Sequence, residues 1–239
     1  MMLLVYNASC GCATLFNPIT FKDAPRESFV KVAILTDDNI GTGSGVIISI
    51  IDKSTIILTA GHICKPNITA IKVIDLLQND HEVIGMIASN EDDLCLLIVD
   101  SVMEGKPIKT SSNKPQIGQH AYNIAAPFGL HAENMSLMFH GYYQGQLKLI
   151  EEKFPLDLYS VPGVGGSSGS PIFDDDWNLI GIVSRGITGF PEIMLSVSYE
   201  RVKAFTDYSS TELFRQEIIN ARSDDNKKMV SSIDKIMMQ

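Results

Sequence analysis

Between Phe29 and Tyr199 the chain is a succession of short β-rich segments broken by Gly, Asn, Asp and Pro, and this rhythm narrows its possible folds more than any other feature. FVKVAIL, GVIISI, STIILTA, AIKVIDLL, VIGMIA and LCLLIVD come first. After Pro115 follow HAYNIAA, SLMFHGYYQG, KLIEE, LDLYSV, SPIFD, LIGIVS and IMLSVSY. Runs of β-branched and aromatic residues bounded by turn formers read as strands, and many short strands at even spacing read as a barrel or sandwich. Two series of about six predict an all-β chain of two six-stranded antiparallel barrels. Met103 to Lys114, rich in Lys, Ser and Pro, is expected to connect them.

The pattern changes at both ends. Residues 1–25 combine a short apolar stretch with small residues around Cys10 and Cys12, then turn charged from Phe21. This segment reads as a leader or as an irregular N-terminal arm. Ser9 to Thr14 is similar to the end of a bacterial lipoprotein signal, which makes Cys12 a candidate lipid anchor, although no basic residue precedes the apolar part. After Tyr199, ERVKAFTDY and TELFRQEIINAR place apolar residues at helical spacing, so residues 209–239 are expected to be a helical tail. Ser209 with Glu212 reads as a capping box opening its helix.

A net charge of −9 and a pI near 5.0, with no basic run, argue against a nucleic-acid partner, because phosphate backbones are bound through clustered Lys and Arg. No stretch is long and apolar enough to span a bilayer as a helix. The spacing of Cys10, Cys12, Cys64 and Cys95 matches no zinc site, and none of His81, His120, His131 and His140 has a partner at metal-ligand spacing, so no metal is expected. Cys64 and Cys95, each in an apolar run, are expected to be buried reduced thiols acting as small hydrophobes.

Three places carry chemistry. Gly166-Ser167-Ser168-Gly169-Ser170-Pro171 can turn tightly and aim amides at one point, placing a serine hydroxyl beside donors for an oxyanion, here the amides of Gly166 and Ser168. Gly, Ser and Pro also build ordinary surface turns, so this cluster gains weight only from its company. His62 ends the strand-to-turn segment Ile57 to His62, and Asp93 immediately precedes the apolar run Leu94 to Ile98. A serine nucleophile needs a base to take its proton and a carboxylate to hold that base.

Taken together, TAGH around His62, DDLCLL around Asp93 and GSSGSPIF around Ser168, in the order His, Asp, Ser, resemble trypsin-like serine proteases. The spacings are similar to those of bacterial members such as the periplasmic heat-shock proteases and glutamyl endopeptidases. Gly43 to Ile48, Ala126 to Leu130 and Ile180 to Ser184 extend the resemblance over most of the chain. It implies a chymotrypsin-like fold over residues 26–208, with barrels at about 26–102 and 115–208. It also implies a serine endopeptidase acting on a peptide or protein without a cofactor, with His62, Asp93 and Ser168 catalytic. Ser184, Arg185 and Gly186 are then expected to line the substrate site, beside Gly163 to Gly166 and the strand near Ser196 to Ser198.

The resemblance leaves specificity open. Pro162 lies near the place where trypsins carry an aspartate, and Val183 stands where glutamyl endopeptidases carry a histidine, so neither a basic nor a glutamate preference follows. Arg185 is expected to be solvated. The C-terminal segment does not resemble the peptide-binding domains of heat-shock members, which favours a stand-alone protease. A silent two-barrel binding module and a protease that cuts only itself are the competing readings.

Overall fold

The computed structural model describes residues 21–36, 39–64, 68–89, 91–223 and 229–232. Residues 1–20 of the expected leader or arm, with Cys10 and Cys12, and the tip of the C-terminal segment lie outside these residues.

Six strands form the first barrel: β1 (Phe29–Thr36), β2 (Ile40–Ile51), β3 (Ser54–Ala60), β4 (Ile68–Ile74), β5 (Asp80–Ala88) and β6 (Leu94–Val99). Their order is β5-β4-β1-β2-β3-β6, and antiparallel pairing of β5 with β6 closes the ring. The second closed barrel comprises β7 (His120–Ala125), β8 (Leu137–Leu147), β9 (Leu156–Tyr159), β10 (Pro171–Phe173), β11 (Leu179–Ile187) and β12 (Phe190–Val197). Closure leaves neither barrel an open sheet edge in its main ring. Two six-stranded antiparallel barrels are what the segment rhythm predicts.

The continuous apolar runs have a direct cause, which is burial on both faces. Along β6, Cys95, Leu97 and Val99 point into the first barrel, while Leu94, Leu96 and Ile98 join a core shared with the second. The same division runs through β3, where Ile57 faces inward and Ile56 and Leu58 face the neighbouring barrel. From the other side come Tyr122, Ile124, Phe173, Leu179, Ile182 and Val197. A strand lodged between two cores loses the apolar–polar alternation of a half-exposed one.

The helices α1 (Tyr199–Ser209) and α2 (Glu212–Ser223) pack on the barrels, and Val202, Phe205, Phe214 and Ile218 belong to that shared core. The capping box does not form at Ser209, whose hydroxyl instead donates to Thr206 O at 2.7 Å inside the preceding helix. Thr211 caps α2, its Oγ1 accepting from Phe214 N at 3.2 Å. A four-residue strand, β13 (Met229–Ser232), runs parallel to β5 beside Gly85 to Ala88.

Three further expectations are corrected. KLIEE forms no strand, because Lys148 to Glu152 make the exposed turn between β8 and β9. The connection after β6 runs on to Gln119 and contains one bridge, Thr110 to Leu179. Cys64 and Cys95 are bonded to each other and not reduced, with Cα atoms 6.4 Å apart, within bridging range. Pairing of Ala60 with Leu94 brings the ends of β3 and β6 side by side, which puts the two sulfurs within reach. Separate apolar runs concealed that proximity. Among the described residues no helix is long and apolar enough to cross a membrane.

Candidate active site

Strand β3 delivers His62 to the seam between the barrels by running straight into a tight 3-10 turn, Gly61–Ile63. Gly61 is required there: a Cβ on it would lie 2.8 to 2.9 Å from the backbone of Asp93 and Leu94. That close approach lets Asp93 reach the histidine. Its carboxylate accepts from His62 N at 2.7 Å and lies 3.0 and 3.1 Å from Nδ1 through its two oxygens. Ser184 Oγ donates to the second oxygen at 2.5 Å. Burial opposes ionisation of Asp93, but the imidazole, the Ser184 hydroxyl and the His62 amide together hold its pKa below the ordinary carboxylate value.

Asp93 sits in a turn anchored to the second barrel and its helices. The neighbouring Asp92 is almost fully buried and receives both Nε and Nη2 of Arg201, on α1, at 2.5 Å. Arg201 also stacks over Phe154, 4.1 Å from the ring centroid. Lys153 reaches across to Glu91 at 2.6 Å. Removing one partner of a buried pair strands the other charge, at a cost of about 3–5 kcal/mol. Arg201→Met is therefore expected to lower unfolding stability by about 3 kcal/mol in urea titration, and Asp92→Asn with Arg201→Met to recover part of that loss. A double-variant loss equal to the sum of the two single-variant losses would show that the pairing contributes nothing.

Ser168 comes from the loop between β9 and β10, and nearly every carbonyl around it is fastened. Gly165 O accepts from Phe128 N at 2.6 Å, Gly166 O from Ser44 Oγ at 2.9 Å, and Ser168 O from Ser44 N at 2.8 Å. Gly166 has φ +97°, a backbone that favours glycine, and a Cβ there would strike Ala126 O at 2.4 Å. With the carbonyls turned outward, the amides of Gly166 and Ser168 donate to no described residue. Two such adjacent donors can receive a developing negative oxygen.

A cleft of about 970 Å³ holds His62, Asp93, Ser168, Ser184, Arg185 and Gly186 together. The hydroxyl of Ser168 donates to Ser184 O at 3.3 Å and is not bonded to His62. Ser184 thus turns its side chain to Asp93 and gives the pocket only backbone. Arg185 is not simply solvated, for it pairs with Glu152 at the cleft rim. The other histidines lie elsewhere: His81 pairs with Asp75, His120 with Asp175, His140 stacks on Tyr122, and His131 is buried and donates to Asp75 O. Among the described residues no three metal-ligating side chains come together.

Sequence reasoning missed Ser44 and Arg201 as supports of the site, and Ser184 as a partner of Asp93. The first had a signal in the Gly-Ser-Gly of β2. Arg201 had none, because its partner is 109 positions away.

Comparison with known proteins places the chain in a family. The trypsin-like peptidase domain matches residues 43–182, more than half of the chain. No curated protein sequence matches it. Among solved structures it is similar to the Rv3671c protease of M. tuberculosis in its active form, at 17% identity and TM-score 0.64, over 84% of this chain and 91% of that one. A serine endoprotease from Yersinia pestis matches at 20% identity and TM-score 0.63, over 79% and 64%. A variant of the HtrA-type protease AlgW with a tripeptide matches at 15% and 0.66, over 80% and 62%. In these last two the match takes in slightly less than two thirds of the longer chain.

Proposed function

Because the chain belongs to the trypsin-like peptidase family and is a serine-type endopeptidase, we propose that it cuts peptide bonds through an acyl-enzyme on Ser168, with His62 as general base and Asp93 orienting it. The observation that carries this reading is a cleft that holds the Ser168 hydroxyl and a carboxylate-held imidazole, beside a loop whose Gly166 and Ser168 amides donate to no described residue.

In this mechanism a peptide lies extended along the edge of β11 beside Ser184 to Gly186. Ser168 Oγ rotates away from Ser184 O toward His62 Nε2, passes its proton there and attacks the carbonyl carbon. Active-site bonds that are loose without substrate commonly tighten in the complex. The imidazolium is steadied by Asp93, which stays ionised, and the carbonyl oxygen, now negative, enters the space before the amides of Gly166 and Ser168. His62 then gives its proton to the leaving amine. Water, activated by the same imidazole, releases the acid and restores Ser168. These residues accept and return every proton the reaction moves, so the mechanism calls on no metal or organic cofactor.

A fluorophosphonate probe, which phosphonylates activated serines, tests the assignment. On the native protein peptide mapping is expected to place the adduct on Ser168 alone. A folded native protein that takes no adduct, or takes it on another serine, would overturn the nucleophile and turn attention to a non-catalytic binding role.

A further inference from the structure

The part of the cleft that would receive the side chain before the cut bond is walled by two glycines, Gly163 on the segment leading to Ser168 and Gly186 on β11. Glycine walls alone would leave a deep slot. Here the slot is occupied. Met194 of β12 is paired directly with Gly186, is 2% exposed, and roots in the second-barrel core beside Tyr159 and Val183. A Cβ on Gly163 would lie 2.4 Å from its Sδ and 3.1 Å from both Cγ and Cε. A Cβ on Gly186 would lie 2.8 Å from Cε. The thioether therefore spans from one wall to the other, and the same residue lines the cleft.

The walls also carry no charge. Val164 and Gly165 complete them, while the charged groups of the rim are already matched, Arg185 with Glu152 and Lys153 with Glu91. A Lys, Arg, Asp or Glu side chain entering would give up water without a partner, which is costly. An aromatic side chain would need the volume that Met194 fills, and overfilling a packed site is unfavourable.

Resting on the serine-protease reading above, we propose that Met194 is the floor of the specificity pocket and restricts cleavage to bonds after small apolar residues, alanine and valine above all. Met194 acts by exclusion and does not take part in the chemistry.

The test is a cleavage profile on a mixed peptide library, read by mass spectrometry, for the native protein and for Met194→Gly and Met194→Leu. The native protein is expected to prefer Ala or Val to Phe before the cut by about 100-fold, since one misfit methylene already costs about 10–200-fold. Met194→Gly is expected to raise the rate after Phe at least about tenfold relative to Ala, and Met194→Leu, which refills the space, to keep the native order. Native cleavage mainly after Phe, Lys, Arg or Glu would overturn the proposal, and that measurement needs no variant to fold. Fluorophosphonate labelling of Ser168 run alongside separates the two failures: labelled enzyme with the wrong preference refutes the floor, whereas an unlabelled native protein refutes the underlying mechanism.

Discussion

Ser168→Ala is expected to lower kcat on a peptide substrate by about a million-fold while leaving the fold intact. Members of such a set act as a unit, so removing the nucleophile removes nearly all that the set contributes. The remaining turnover, about 10³–10⁴ over water, would come from the unaltered amides and from binding. Little stability is at stake, because the hydroxyl makes one hydrogen bond, to Ser184 O. Its loss should change unfolding free energy by no more than about 1 kcal/mol. Burst kinetics with a chromogenic ester, together with a urea titration, measure both quantities. Turnover surviving in the folded variant would show that another group attacks.

Asp93→Asn is expected to cost about 10⁴ in kcat for a different reason. The carboxylate accepts from three donors, the His62 amide, His62 Nδ1–H and Ser184 Oγ–H. An amide offers one oxygen and one NH₂, so one acceptor becomes a donor. If that donor faces Nδ1, the imidazole is driven to the tautomer that carries its proton on Nε2, and it can no longer accept one from Ser168. Substrate binding is untouched, so KM should change little. Stability gives an independent reading with a defined sign. The native pKa of Asp93 lies below its unfolded value of about 3.9, so the carboxylate stabilises the fold fully above that pH and loses its contribution as pH falls through the native pKa. The stability gap between native protein and variant should therefore narrow in strong acid. A gap constant with pH would mean that the carboxylate gains nothing from its partners.

The amino-acid sequence makes legible what is written in local patterns. Strands bounded by turn residues, and a histidine, an aspartate and a serine each at the edge of such a strand, are features of a few consecutive residues. The supports are not. Arg201 meets Asp92, Ser44 meets Gly166 and Cys64 meets Cys95 only because barrel closure brings distant segments together. In sequence, Cys95 resembles any apolar strand residue. Its partner becomes recognisable only when β3 and β6 are neighbours in space. Met194 is hidden for a related reason, since a methionine in a strand reads as core until the two glycines opposite it are located. The pattern Ser-x-x-Glu at Ser209 is a stronger local signal than a lone threonine two positions later, yet α1 extends through Ser209 and occupies that hydroxyl, which leaves the cap to Thr211.

Ser44 makes the alignment of this site a matter of tolerance between two bodies. His62 and Asp93 belong to one barrel and Ser168 to the other, so any rocking of the barrels alters the gap between His62 and Ser168. A misplacement of about 1 Å in a reacting pair can cost about 100-fold in rate. Ser44 is fully buried and acts as a dowel across that joint. Its amide and hydroxyl hold Ser168 O and Gly166 O, its hydroxyl also receives Ala126 N, and its own carbonyl is fixed by Thr59 on the strand that carries His62. One residue thus references the Ser168 loop to the strand that carries His62, and the two barrels can vary elsewhere in shape and surface without the gap between those two side chains drifting.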